Sequence, residues 1–175
     1  MKDVEGLNFT WLFSLYHNAR FIDPRKLAAS ASVLAADARV SQNATMSDDD
    51  GKLVKAILPC TPLAIVKTLE HCQVYNPLLP YGSRAYGKTI TVVNRSEVVG
   101  RPLAALLSND GARVFSVDLD GIQEFTRRKV STEGAQRPSY LPHHIVTTSS
   151  LSLEECLKQS DVVVAGVSPS FLFPH

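Results

Sequence analysis

Val92-Val93-Asn94-Arg95-Ser96-Glu97-Val98-Val99-Gly100-Arg101-Pro102 joins a β-branched run to an apolar run of helical period. Upstream, Lys88-Thr89-Ile90-Thr91-Val92-Val93 has the composition of a strand. Downstream, Leu103, Leu106 and Leu107 share one face and Gly111 stands where a helix C-terminal glycine belongs, so the spacing predicts a helix over 97–110. A turn from strand to helix directs backbone N–H groups beyond the sheet edge and makes an anion site. Asn94 opens this turn. Arg95 and Ser96 add a charged fork and a hydroxyl suited to a pyrophosphate, and Gly100 lets the backbone come close. With a single glycine this is not a G-x-G-x-x-G fingerprint, and a plain turn carrying a surface arginine remains the alternative.

The residues that follow extend the pattern. Arg113–Asp118 reads as a second strand, 121–128 as a short helix, and 129–150 as polar and irregular, with the pair His143-His144 in solvent. Ser152 caps a predicted helix to Lys158, with Glu154 and Glu155 in its first turn, and Asp161–Gly166 is a third strand. Apolar runs rather than alternation predict strands covered on both faces. The fold class is therefore α/β, a Rossmann-type parallel sheet with helical crossovers. Asp118 ends the second strand roughly 20 residues beyond the turn, where dinucleotide folds place an acid on the adenosine ribose. Such a carboxylate repels a 2′-phosphate and argues for NAD over NADP; a solvated strand end is the bland alternative. Asp120 either assists it or caps the next turn.

Upstream, Thr61 suits an N-cap and Pro62 a first helical position, predicting a helix over 62–72, and Pro77, Pro80 and Gly82 mark a loop. Cys60 stands just before that cap, near a helix N-terminus that favours thiolate; a small apolar role is the commoner fate. Residues 7–22 read as a short helix or a packed irregular segment. From Leu27 to Gly51 the chain turns to Ala, Ser, Asp, Asn and Gln with no aromatic residue, which predicts a mobile insertion.

Composition limits the function classes. The chain has 175 residues, 45% of them hydrophobic, and 18 basic against 17 acidic groups give a net charge of +1. That balance offers no global field for nucleic acid or an anionic membrane. Three cysteines at unrelated spacings fit neither a disulfide framework nor a zinc site, and the adjacent histidines diverge, so no metal site is expected. A reducing, cytoplasmic setting is the expectation.

Lys2-Asp3-Val4-Glu5-Gly6, Pro59-Cys60-Thr61-Pro62, the 94–102 segment and Ser160-Asp161-Val162-Val163-Val164-Ala165-Gly166-Val167 occur in the order of a known family. Together they resemble the methylenetetrahydrofolate dehydrogenase/cyclohydrolase family, over residues 1–26 and 52–175. Bifunctional members usually read G-R-S where this chain has Asn94-Arg95-Ser96, and K-D-V-D-G where it has Glu5. Those departures, with Asp118, are similar to the monofunctional NAD-dependent fungal branch.

The resemblance implies oxidation of 5,10-methylenetetrahydrofolate to 5,10-methenyltetrahydrofolate by hydride transfer to NAD. It implies that Glu5 contacts the pterin, that Cys60 and Pro62 line the folate cleft with Cys60 a candidate catalytic group, and that Gly166, Val167 and Ser168 meet the nicotinamide side. It also implies a homodimer. On this basis residues 1–80 are expected to end a folate-binding α/β domain and 81–175 to form part of an NAD-binding one. The family's Tyr-x-x-x-Lys and its glycine-rich closing loop are absent from the 175 residues. The chain is therefore expected to be a fragment with weak or no turnover. Two alternatives stay open: an NADP-dependent bifunctional enzyme, and a non-catalytic module.

Overall fold

The computed structural model describes residues 3–22, 54–128 and 142–166. The expected insertion at 27–51, Val167 and Ser168 lie outside the described residues. The chain runs α1 (Phe9–Tyr16), β1 (Phe21–Ile22), β2 (Val54–Lys55), α2 (Cys60–His71), β3 (Thr89–Val93), α3 (Gly100–Asn109), β4 (Arg113–Asp118), β5 (Gly121–Arg127), β6 (His144–Ser149), α4 (Leu153–Gln159) and β7 (Val162–Ala165).

A five-stranded sheet in the order β6-β5-β4-β3-β7 organises the molecule, with β1 and β2 paired in a separate small antiparallel sheet. β4 and β7 both run parallel to β3, with Ile90 opposite Val114 on one side and Val162 on the other. This is the predicted strand–helix–strand unit. The rest of the sheet differs: β5 returns antiparallel to β4 and β6 antiparallel to β5, so the sheet is mixed rather than parallel. The expected helix over 121–128 and the irregular segment up to 150 thus contain two strands.

The cause lies in packing on two faces. Ile122 and Phe125, three residues apart, suggest a helical stripe, yet they point to opposite sides of a sheet that is covered on both. Phe125 joins Ile90, Val92, Val114 and Leu103 in the core under α3, whereas Ile122 joins Val93, Phe115, Val117 and Cys156 under α4. Pro102 through Asn109 are all buried, because α3 lies between the sheet and the layer of α1 and α2. Ser152 and Glu155 form the capping box that starts α4, matching the predicted cap.

Two smaller corrections concern helix starts. α2 begins at Cys60 with Pro59 at the N-cap, two residues ahead of the Thr61 cap expected. α3 begins at Gly100 rather than 97, because the Ser96 hydroxyl accepts the Val99 and Gly100 N–H groups and holds 97–99 as a turn. The histidine pair is also buried rather than solvated. The His143 N–H donates to the Tyr16 carbonyl, and the His144 ring stacks on Phe125 and meets Tyr16 edge-on, so the pair closes the C-terminal end of α1. Among the described residues no helix is long and apolar enough to cross a membrane.

Candidate functional site

The carboxyl ends of β3, β4 and β7 meet at Asn94. Its φ of 90° is a conformation that a β-carbon disfavours and that asparagine tolerates better than most residues. Local bonds stabilise it: the Asn94 N–H donates to Val117 O, Nδ2 donates to Gly166 O at 3.1 Å, and Oδ1 accepts the Ser96 N–H at 2.8 Å. One residue therefore ties the turn to both strands, its backbone N–H to the end of β4 and its side chain to the residue after β7. Gly166 donates its own N–H to Val93 O, and a β-carbon on it would press that same oxygen at 3.1 Å.

Gly100 brings backbone close, as expected, but to the chain itself. A β-carbon there would overlap the Asn94 carbonyl. Among the described residues the Glu97 and Val98 N–H groups have no hydrogen-bond partner, so the turn offers two donors at its outer side.

Asp118 ends β4 beside this turn. Its Oδ2 accepts the Arg95 N–H at 2.8 Å and its Oδ1 the Leu119 N–H at 2.7 Å. Those two N–H groups, Leu119 first and then Arg95, hold the carboxyl below its ordinary range, so it stays ionised at neutral pH. A carboxylate has about four lone-pair sites, and these two bonds occupy two of them on a half-buried side chain.

Arg95 is placed differently from the pyrophosphate fork expected of it. Its Nη1 pairs with both Asp120 oxygens at 2.9 and 3.1 Å, Nη2 donates to Ser116 O and Gly121 O, and Nε donates to Ser116 Oγ. The guanidinium pins the β4–β5 turn. Its partners lie 21 to 26 residues away, which is why sequence spacing did not reveal the arrangement.

The expected folate residues form a second group. The Asp3 carboxylate accepts N–H groups from Asn8, Gly6, Leu7 and Glu5, which wraps the loop around it and lowers its pKa. Asp3 was not singled out from sequence; an acid followed three residues later by glycine is the signal available. Gly6, at φ 73°, lies flat on Leu58 and Pro59, where a β-carbon would sit 2.8 Å from Leu58 O. The Cys60 N–H then donates to Glu5 O at 3.1 Å. Glu5 and Cys60 are thus neighbours with exposed side chains, and Pro62 is buried in the first turn of α2. Among the described residues no hydrogen bond or ion pair joins this group to the Asn94 group.

A cavity of about 590 Å³ lies elsewhere, near the C-terminal end of α3, where Arg20 pairs with Asp110 at 2.6 Å and Tyr75 donates to the same carboxylate. None of the sequence-predicted site residues lines it. Burial first, and then Asp110, push the Tyr75 phenol above its ordinary range. Among the described residues no group of three or more His, Cys, Asp or Glu could hold a metal ion.

Comparison with known proteins fits this geometry. Residues 59–129 match the family model described as tetrahydrofolate dehydrogenase/cyclohydrolase, NAD(P)-binding domain. The chain is 46% identical over 174 residues to the methylenetetrahydrofolate dehydrogenase [NAD(+)] of Schizosaccharomyces pombe, a match covering 99% of this chain and 44% of that one. The protein of the same name in Saccharomyces cerevisiae is 44% identical over 177 residues, a match covering 99% of this chain and 45% of that one. The solved structure of the NAD-dependent 5,10-methylenetetrahydrofolate dehydrogenase from Saccharomyces cerevisiae superposes with a TM-score of 0.67 at 45% identity, over 95% of this chain and 43% of that one. The chain thus spans under half the length of the curated relatives it matches.

Proposed function

We propose that this chain supplies the adenosine side of an NAD site and one wall of a folate site, in a protein that oxidises 5,10-methylenetetrahydrofolate to 5,10-methenyltetrahydrofolate. The observation that carries the reading is Asp118: an ionised acid at the carboxyl end of β4, bonded to the N–H of the strand-to-helix turn, with lone pairs left to accept ribose hydroxyls. The residues fit the cofactor. Glu97 and Val98 offer N–H donors to its phosphates, and the close Gly166–Val93 approach leaves the sheet edge free of side-chain bulk. Val167 and Ser168 belong to the same proposal as the nicotinamide side.

When bound, NAD accepts the hydride. The chain's own residues position and balance charge. Loss of hydride from the one-carbon unit leaves a cation shared by two folate nitrogens, a step that needs no strong base. The exposed Glu5 carboxylate orients the pterin and opposes that charge, and Cys60 with Pro62 lines the same cleft. We include in the proposal a division near residue 80 between folate and nucleotide parts, a homodimer, and a cytoplasmic setting supported by three cysteines that form no disulfide.

Asp118→Ser is the test. NAD binding weakens and the preference for NAD over NADP narrows by roughly tenfold, the scale of one charge-assisted bond. An unchanged preference contradicts the cofactor reading. The 175 residues alone are expected to show little methylenetetrahydrofolate-dependent NAD reduction.

A further inference from the structure

Resting on the reading of residues 94–120 as the adenosine side of a dinucleotide site, we propose that Asp120 is a specificity-determining residue: it holds the Arg95 guanidinium on the β4–β5 turn and so withholds a cation from any 2′-phosphate beside Asp118.

Arginine has five N–H donors, and all five of Arg95 have partners within the protein. Two go to the Asp120 carboxylate, two to the carbonyls of Ser116 and Gly121, and one to Ser116 Oγ. The Arg95 side chain is 9% exposed while Asp120 is 74% exposed, so the pair has one buried and one open end. The same residue that carries this guanidinium donates its N–H to Asp118, which puts the cation's backbone within one hydrogen bond of the ribose acid.

Two effects follow for a 2′-phosphate at that acid. It meets the carboxylates of Asp118 and Asp120, and it meets a neighbouring cation whose donors are already directed away. Asp118 alone explains only the first. Asp120 supplies the second because its two bonds engage Nη1, the only nitrogen of Arg95 not bonded to β4 or Gly121. Without Asp120, the Ser116 and Gly121 carbonyls still anchor Nη2 and Ser116 Oγ still anchors Nε. Nη1 is then released as a charged, forked donor at the protein surface. Asp120 itself is exposed and Arg95 keeps its three bonds to Ser116 and Gly121, so the substitution should leave the fold intact.

Calorimetric titration of the 175-residue chain with NAD and with NADP tests this. The ratio of the NADP to the NAD dissociation constant falls about tenfold in Asp120→Ala, the scale of one regained charge-assisted contact. Adding Arg95→Gln removes that gain; should this double variant lose its fold, Arg95→Lys, which lacks the fork, replaces it and keeps only part of the gain. An unchanged ratio in Asp120→Ala, with NAD still bound, overturns the role of Asp120. So does a gain that survives Arg95→Gln, since plain charge repulsion then accounts for it. Failure of the unmodified chain to bind NAD at all removes the underlying nucleotide reading instead, and the Asp120 proposal with it.

Discussion

A β-carbon on Gly100 has nowhere to go: it would overlap the Asn94 carbonyl oxygen, and that oxygen belongs to a residue already bonded to Ser96, Val117 and Gly166. Backbone rather than a flexible side chain sets the limit, so relief requires moving the whole turn. Gly100→Ala is expected to lower stability by about 2 kcal/mol or more, read as a shift in the urea midpoint. The need for glycine here was legible in the sequence, but the close approach it serves lies within the turn. Asn94 shows the same limit. Its place at the strand end was readable, whereas its φ of 90° and its bond to Gly166 depend on β7, 72 residues away. Arg95 is the clearest case of tertiary context deciding a residue's role, because a surface arginine and a turn-pinning arginine have the same local sequence.

β3, α3, β4 and β7 were readable because each is an apolar or β-branched run, and α4 because Ser152 and the first-turn Glu154 and Glu155 mark a helix start. β5 and β6 were not. β5 carries Ile122 and Phe125 toward different layers, a pattern that mimics helical period only because both faces of the strand are covered. β6 begins next to a histidine pair and a proline; the run Ile145-Val146-Thr147-Thr148 was the available signal. The hairpin from β4 to β5 also depends on Gly121, whose φ of 130° completes the turn at Leu119-Asp120. Phe125 is the anchor of this return: it is 1% exposed and stacked on His144, which in turn meets Tyr16. Phe125→Ala should cost about 3–5 kcal/mol in thermal or urea unfolding. Because His143 and His144 close the end of α1, the loss should also loosen the contact between α1 and β6, visible as faster amide exchange at His143.

At the scale of the molecule, the α/β class and the position of the strand-to-helix turn at Asn94 follow from the order of apolar runs, and the mixed sheet follows from packing that no local pattern records. The residues expected to bind folate and those expected to bind nucleotide gather into two groups, one around Cys60 and one around Asn94, while the cavity near Asp110 lies at the other end of a ten-residue helix, roughly 15 Å along its axis. In the proposed function the nucleotide is held at the carboxyl edge of β3 and β4, not in that cavity. Amide hydrogen exchange of the 175-residue chain, with and without saturating NAD, tests it most directly. Slowed exchange is expected at Glu97 and Val98, and around Asp118 and Leu119, with the Arg20–Asp110 region unchanged. Protection confined to Arg20, Tyr75 and Asp110, or no change anywhere between 94 and 120, would contradict it.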